Sequence, residues 1–347
     1  MGNRTTVYNK ITSPEKLSQV HPKNIELGKD FLDYLTSIDR SKRTIASYEN
    51  DILIFWCWNL DYNNNKFFPE LTKREVAKFQ NHAMNIWGWS PNRVRRVKST
   101  LSSMSNYIEN ILDDEPEFRD YRPIIKKIEN PVKKEVRDKT VFTEDQLNSL
   151  LQKLVDGEKY AQACMLSLAM NNGRRKSELP RMKTSYFTDD NIIYGSLYKS
   201  PECVVTKGRG STGNPLIVFT LSKPFRPYLD LWLQYREEHG ITSQWLIPRT
   251  VNGKYVDEPV PITTMDSWAE AFTKLLGVPF YWHSLGHYFT TACSKSGLPD
   301  DVIRMLVGWE SNDMVTLYKD ISIDEEFGKY FGEDGIKQVE LKSIADI

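Results

Sequence analysis

Two stretches of this chain hold residues whose types and spacing suit chemistry. One is Asn172-Gly-Arg174-Arg175-Lys-Ser-Glu178-Leu179, and the other is His283-Ser-Leu-Gly286-His287 followed by Leu306-Val-Gly-Trp309 and Tyr318. Arginine suits a phosphate because its planar fork holds two oxygens of one group and never loses its charge. His283 and His287 stand at a spacing that zinc sites use, but a zincin helix needs glutamate at 284, where there is Ser284, and no third ligand is evident. A third stretch, Lys207-Gly-Arg-Gly-Ser-Thr-Gly-Asn-Pro215, is glycine-rich but has neither P-loop order nor Rossmann spacing.

Positioning these groups requires short helices. Leu285, Phe289, Ala292 and Cys293 fall on one helical face, and Gly297 with Pro299 marks its end, so His283 opens a buried helix. A second short helix starts at Pro299-Asp300-Asp301 and stops at Gly308, and Ser311, Asn312 and Asp313 are N-cap candidates for a third that carries Tyr318. Three helices thereby bring a histidine, a tryptophan and a tyrosine together. Upstream, Thr143 caps a helix that opens a second domain near Val141. The β-branched runs at Ile192, Cys203-Val-Val-Thr206 and Leu216-Ile-Val-Phe219 predict a small antiparallel sheet, with the glycine-rich stretch as its hairpin loop.

The 347 residues suffice for two domains. Basic and acidic residues balance at 46 each, yet they are segregated. Lysines and arginines crowd residues 73–98 and 122–139, while the segment after Trp309 is acidic, so a phosphate-attracting face is compatible with zero net charge. Cys57, Cys164, Cys203 and Cys293 have no paired spacing and read as reduced core residues of an intracellular, cytoplasmic protein. No apolar run approaches a membrane span and no signal-peptide core is present; the Met1-Gly-Asn-Arg-Thr-Thr6 start fits a myristoylation pattern by chance.

Along the chain, residues 1–20 read as a flexible arm. Helical periodicity then runs through residues 21–112, with starts at Ser41, Thr72 and Ser90-Pro91 and an asparagine-rich turn at 59–66. Residues 113–140, acidic and then proline-bearing and basic, read as an interdomain linker; 141–322 form the second domain and 323–347 an amphipathic tail. The fold class is mainly α with a small antiparallel β-sheet.

The His283 to Tyr318 block resembles the C-terminal signature of the tyrosine recombinases, the phage integrases and Xer-type enzymes: H-x-L-R-H, then L-G-H/W, then the nucleophilic tyrosine nine positions later. Trp309 and Tyr318 are nine apart. Gly173-Arg-Arg175-Lys-Ser-Glu178-Leu179 is similar to the family's G-x-R-x-x-E-L box, and the helical half is similar to its core-binding domain. One residue departs: Gly286 stands where the family has its second arginine. The resemblance implies an N-terminal core-binding domain, a mixed α+β catalytic domain and a clamp on double-stranded DNA. Tyr318 would be the nucleophile, Arg175 the first arginine with Glu178 supporting it, Lys207 the general acid, His283 the acid/base and Trp309 a phosphate-side partner. Arg93, Arg95, Arg96 and Lys98 would face DNA, with Lys133 and Lys134 over its backbone. A homo-tetramer joined through the chain ends is implied, accessory DNA-bending proteins are compatible, and no cofactor or metal is expected.

That chemistry joins Tyr318 to a DNA 3′-phosphate and frees a 5′-hydroxyl, keeping the bond energy without ATP. Losing one transition-state cation at Gly286 lowers the rate by about 10² to 10⁵. The chain therefore reads as a site-specific recombinase impaired in cleavage. The alternative is a DNA-binding protein of the same fold that bends or bridges sites without cutting.

Overall fold

The computed structural model describes residues 11–132, 140–206 and 213–319, with the short paired strands Phe331–Gly332 and Gly335–Ile336. Lys133, Lys134, Lys207, the first ten residues and most of the expected tail lie outside the described residues. The chain divides into two compact units, with the main boundary along the sequence between Asp138 and Lys139. As expected from the sequence, it is mostly helical with small antiparallel sheets.

The first unit is built on four helices: α1 (Pro22–Ser37), α2 (Lys42–Tyr62), α3 (Lys73–Asn85) and α4 (Pro91–Ile111). Local chemistry sets their starts. Ser41 and Ser90 accept the backbone N–H of Thr44 and Arg93, Pro91 supplies a preset φ at the first turn, and Thr72 with Glu75 closes a capping box. Packing then holds the helices together. Phe31, Ile52, Phe55, Trp56, Phe79, Val94, Leu101 and Met104 are all within 2% of full burial, and Phe55 meets Phe79 edge to face at 4.9 Å. Each such side chain contributes on the order of 1.5–3 kcal/mol. The asparagine-rich turn is pinned because Asn24 and Asn59 both donate to the Lys66 carbonyl, at 2.8 and 2.7 Å.

This core is wider than the sequence pattern indicates. Ile11 and Val20, in the expected arm, and Phe118 and Ile125, in the expected linker, are buried in it. Sparse apolar residues in a polar segment are a weak periodic signal, yet all four join this core.

In the second unit, α5 (Glu144–Asp156) is opened by a Thr143–Gln146 capping box, and α6 (Tyr160–Asn172) is buried from Ala163 onward. α6 packs on α5, on α7 (Ser222–Glu238) and on α9 (Trp282–Lys295), so it is apolar around its whole circumference. α8 (Ile262–Leu276) precedes α9, and α10 (Asp300–Val307) and α11 (Asn312–Tyr318) follow it. Strands β1 (Ile192–Ile193), β2 (Leu197–Lys199) and β5 (Phe219–Leu221) form an antiparallel sheet in the order β1-β2-β5. β3 (Val204–Thr206) and β4 (Asn214–Leu216) form a separate ladder in which Thr206 pairs with Asn214.

Two features differ from the sequence reading. A hairpin of β6 (Pro248–Val251) and β7 (Lys254–Pro259) turns at Asn252-Gly253, both with positive φ, as a type I′ connection demands. Cys203 is exposed beside β3, whereas Cys57, Cys164 and Cys293 are buried; all four are free thiols. No helix among the described residues is long and apolar enough to cross a membrane.

Candidate active site

The end of α6 creates the first wall of the site. Gly173 adopts the left-handed conformation at φ 61°, and a Cβ there would lie 2.6 Å from Phe289 of α9, so only glycine lets the two helices approach this closely. The chain leaves that turn through Arg174 and Arg175, which sequence alone barely distinguishes. The structure separates them. The Arg174 side chain is 1% exposed and that of Arg175 33%. Glu178, itself buried, accepts Arg175 Nη1 at 3.4 Å and the Arg175 backbone N–H at 3.4 Å, and lies 3.9 Å from Arg174 Nη1. The burial that separates the two arginines also depresses the Arg174 pKa, while Glu178 opposes that shift.

α9 forms the second wall and holds His283, Gly286 and His287 within one helical turn of each other. His283 is exposed and His287 is buried. α10 ends at Gly308 in the left-handed region, which redirects the chain so that Trp309 and then α11 fold back onto α9. Val307, Trp309, Val315 and Tyr318 bury together with Phe289 and Cys293 in a small apolar cluster.

The Tyr318 hydroxyl lies 3.0 Å from His283 Nε2. Its ring stacks on His287 with centroids 4.4 Å apart at 15°, meets His283 edge-on at 4.9 Å, and packs on Trp309 at 4.7 Å. Gly286 supplies the remaining surface. A Cβ on Gly286 would be 3.2 Å from Tyr318 Cε1, tighter than an ordinary contact, so the tyrosine ring rests on bare helix backbone. Burial raises the Tyr318 phenol pKa; the Arg175 charge opposes that shift and Glu178 reinforces it.

His283 thus contacts the Tyr318 hydroxyl, Trp309 packs on its ring, and Arg175 and Glu178 act on the phenol through their charges, while Lys207 lies outside the described residues. Among the described residues no group of three His, Cys, Asp or Glu is arranged to hold a metal.

The four basic residues expected to face DNA on α4 are occupied within the first unit, and to different degrees. Lys98 is buried, its ammonium donating to Gln80 Oε1 at 3.0 Å and to the Ile128 and Glu129 carbonyls at 2.9 Å each, and burial lowers its pKa. This corrects the expectation for Lys98: its ammonium holds the following chain segment and faces no solvent. Arg95 Nη1 donates to the Pro131 carbonyl at 3.0 Å. Arg93 pairs with buried Asp51 at 3.3 Å and lies over the Trp89 ring. Arg96 shares Asp51 through Nε at 3.2 Å but keeps a half-exposed side chain. Asp51 escaped the sequence reading, although a carboxylate before the apolar run Ile52-Leu-Ile-Phe-Trp56 signals a buried ion pair.

The Phage integrase family matches residues 140–324. The chain is 26% identical over 255 residues to the SPbeta prophage-derived recombinase-like protein YomM of Bacillus subtilis (strain 168), covering 73% of this chain and 72% of that protein. Its fold is similar to that of XerH site-specific recombinase bound to palindromic difH substrate in a post-cleavage complex, with TM-score 0.61, 16% identity, and 82% and 79% of the two chains covered. It is similar also to a lambda integrase tetramer bound to a Holliday junction, with TM-score 0.60, 17% identity, and 85% and 76% covered.

Proposed function

The chain belongs to the phage integrase family, and from that premise we propose that it is a site-specific DNA recombinase that cuts and rejoins strands through a 3′-phosphotyrosine at Tyr318. The observation that carries this reading is the 3.0 Å contact between the Tyr318 hydroxyl and His283 Nε2, beside a half-exposed Arg175. In the reaction the phenol oxygen attacks the scissile phosphorus, the P–O5′ bond breaks, and the phenol proton passes to His283. Arg175 neutralises charge on the phosphoryl oxygens, held in direction by Glu178, and Trp309 flanks the phosphate. Lys207 delivers a proton to the leaving 5′ oxygen. The phosphodiester energy is kept in the tyrosyl ester, so the cycle runs without ATP or a metal.

The first unit, whose core takes in Phe118 and Ile125 of the expected 113–140 linker, then serves as the core-binding domain, and residues 141–322 as the catalytic domain. Arg96 is the first unit's most available phosphate ligand on α4, with Arg93 beside it, and Lys133 and Lys134 are further proposed phosphate ligands. The lambda integrase tetramer among similar structures supports assembly of four copies on two DNA sites, with residues 323–347 reaching a neighbour and accessory DNA-bending proteins as compatible partners. Such an enzyme works in the bacterial cytoplasm, on the nucleoid.

Gly286 supports a second reading, in which the chain binds and bridges DNA without cutting. No cation stands at this position, and the Tyr318 ring occupies the space beside it. Covalent trapping separates the two. The binding site is selected from random duplex DNA, rebuilt as a nicked suicide substrate, and offered to the protein and to Gly286→Arg. Adduct formation by either protein supports the recombinase. Tight site-specific binding with no adduct from either supports the non-cutting reading.

A further inference from the structure

Glu178 lies between two arginines, and only one of them reaches solvent. Arg175 approaches one carboxylate oxygen at 3.4 Å and Arg174 the other at 3.9 Å. If Arg175 and Glu178 stood alone they would cancel. With glycine at 286, the phosphate side of the pocket would then lack a net cation among its described groups. Arg174 changes that sum, because two guanidinium groups against one carboxylate leave one positive charge, and the side chain exposed to receive it is Arg175.

The setting of Arg174 argues against a role in stability alone. Its residue is 2% exposed, its Nη2 donates to the Ile217 carbonyl at 3.3 Å, and its Nε finds no acceptor among the described residues. A buried, incompletely bonded ion pair is usually no more stable than an apolar side chain of similar volume. Arg174 also lies under the loop that presents Trp309: a Cβ on Gly308 would stand 3.3 Å from Arg174 Nη1. The same guanidinium thus touches the β4–β5 connection, the turn before Trp309 and the carboxylate that restrains Arg175.

We infer that Arg174 is a positioning residue that offsets the charge of Glu178, so that the charge of Arg175 is available to the scissile phosphate and to the Tyr318 phenolate. The inference rests on the recombinase reading of the site. It places part of the cation missing at Gly286 at the neighbouring arginine, in a position from which it acts through Glu178 and touches no substrate.

The test is a charge-removal cycle on the full chain: Arg174→Met, Glu178→Gln, and both together. Two quantities are measured on each. One is the single-turnover rate of adduct formation with nicked site DNA. The other, without DNA, is the ionisation midpoint of Tyr318 from the ¹³Cζ resonance of labelled tyrosine. The titratable groups facing Tyr318 are His283 and His287 from α9 and Arg175 and Glu178 from the turn after α6, so the histidine signals are followed in the same titration. Arg174→Met is expected to slow the adduct roughly tenfold or more and to raise the Tyr318 midpoint by about one unit. Adding Glu178→Gln is expected to restore the Tyr318 midpoint, because removing the carboxylate makes its offset unnecessary, and to restore the rate only as far as the amide still directs Arg175. A folded double variant whose Tyr318 midpoint is no lower than that of Arg174→Met overturns the inference, since a purely structural arginine is not rescued by a second charge loss. Absence of adduct from every protein, Gly286→Arg included, removes the recombinase reading, while the titration still decides whether Arg174 and Glu178 cancel.

Discussion

The Tyr318 ring stands where a side chain at Gly286 would press: a Cβ on Gly286 would lie 3.2 Å from Tyr318 Cε1 and 3.5 Å from the Gly173 carbonyl. Position 286 therefore governs both the charge of the pocket and the seat of Tyr318, the proposed nucleophile. Gly286→Ala gains about 1 kcal/mol of helix propensity and loses a comparable amount by pressing on the tyrosine ring. The expected result is a melting temperature within a few degrees of the parent, with clear shifts in the Tyr318 ring resonances. Unchanged resonances would show that the ring does not rest there.

Gly173 is the opposite case, a glycine that nothing can replace. Its φ is 61° and a Cβ would stand 2.6 Å from Phe289 Cδ1, so Gly173→Ala combines backbone strain with a forced shift of α9. A loss on the order of 2–4 kcal/mol is expected in denaturant unfolding. A loss below about 0.5 kcal/mol would contradict the tight α6–α9 approach.

Arg96 and Lys98, two positions apart on α4, are predicted to behave differently toward DNA. Arg96→Ala is expected to lower the salt slope of DNA binding by about one, as loss of one phosphate contact does. Lys98→Met is expected to leave that slope unchanged, because its ammonium is spent on Gln80, Ile128 and Glu129, and instead to expose residues near 128–131 to limited proteolysis. Equal slopes for the two variants would remove the distinction.

Alkaline pH is predicted to destabilise the chain. Burial raises the phenols of Tyr121 and Tyr288 to about 12 and shifts those of Tyr107 and Tyr318 upward. For each, the unfolded chain loses its proton first, so the contribution to stability is complete below the unfolded value near ~10 and is lost as pH rises toward the folded one. Melting temperatures measured between about pH 9 and 12 should fall. Tyr121→Phe should make that fall shallower, and an identical profile for this variant would exclude Tyr121 as a contributor.

Much of the framework was legible because its causes are local. The caps at Ser41, Thr72, Ser90 and Thr143 are contained within four residues each, and all four hold in the structure. The convergence of His283, Trp309 and Tyr318 was legible for a similar reason, since three short helices with clear stops leave little freedom between them. Arg174 and Arg175 are different. Both follow Gly173, and their separation into a buried and an open side chain depends on the Ile217 carbonyl and the Gly308 turn, distant in sequence. Lys98 misled for the same reason, because its acceptors lie 30 and 31 positions downstream. The β6–β7 hairpin did carry a local signal, Asn252-Gly253, between strands too exposed to show clean alternation.

The claim that Tyr318 is the nucleophile is tested most directly by locating the bond it makes. The adduct formed on nicked site DNA is digested with protease and nuclease, and the linked peptide is sequenced by mass spectrometry. The expected product is a 3′-phosphate ester on Tyr318, slow in the parent chain, faster in Gly286→Arg and absent in Tyr318→Phe, which retains its fold because the hydroxyl's contact is with exposed His283. An adduct on any other residue, or one that persists in Tyr318→Phe, would contradict it.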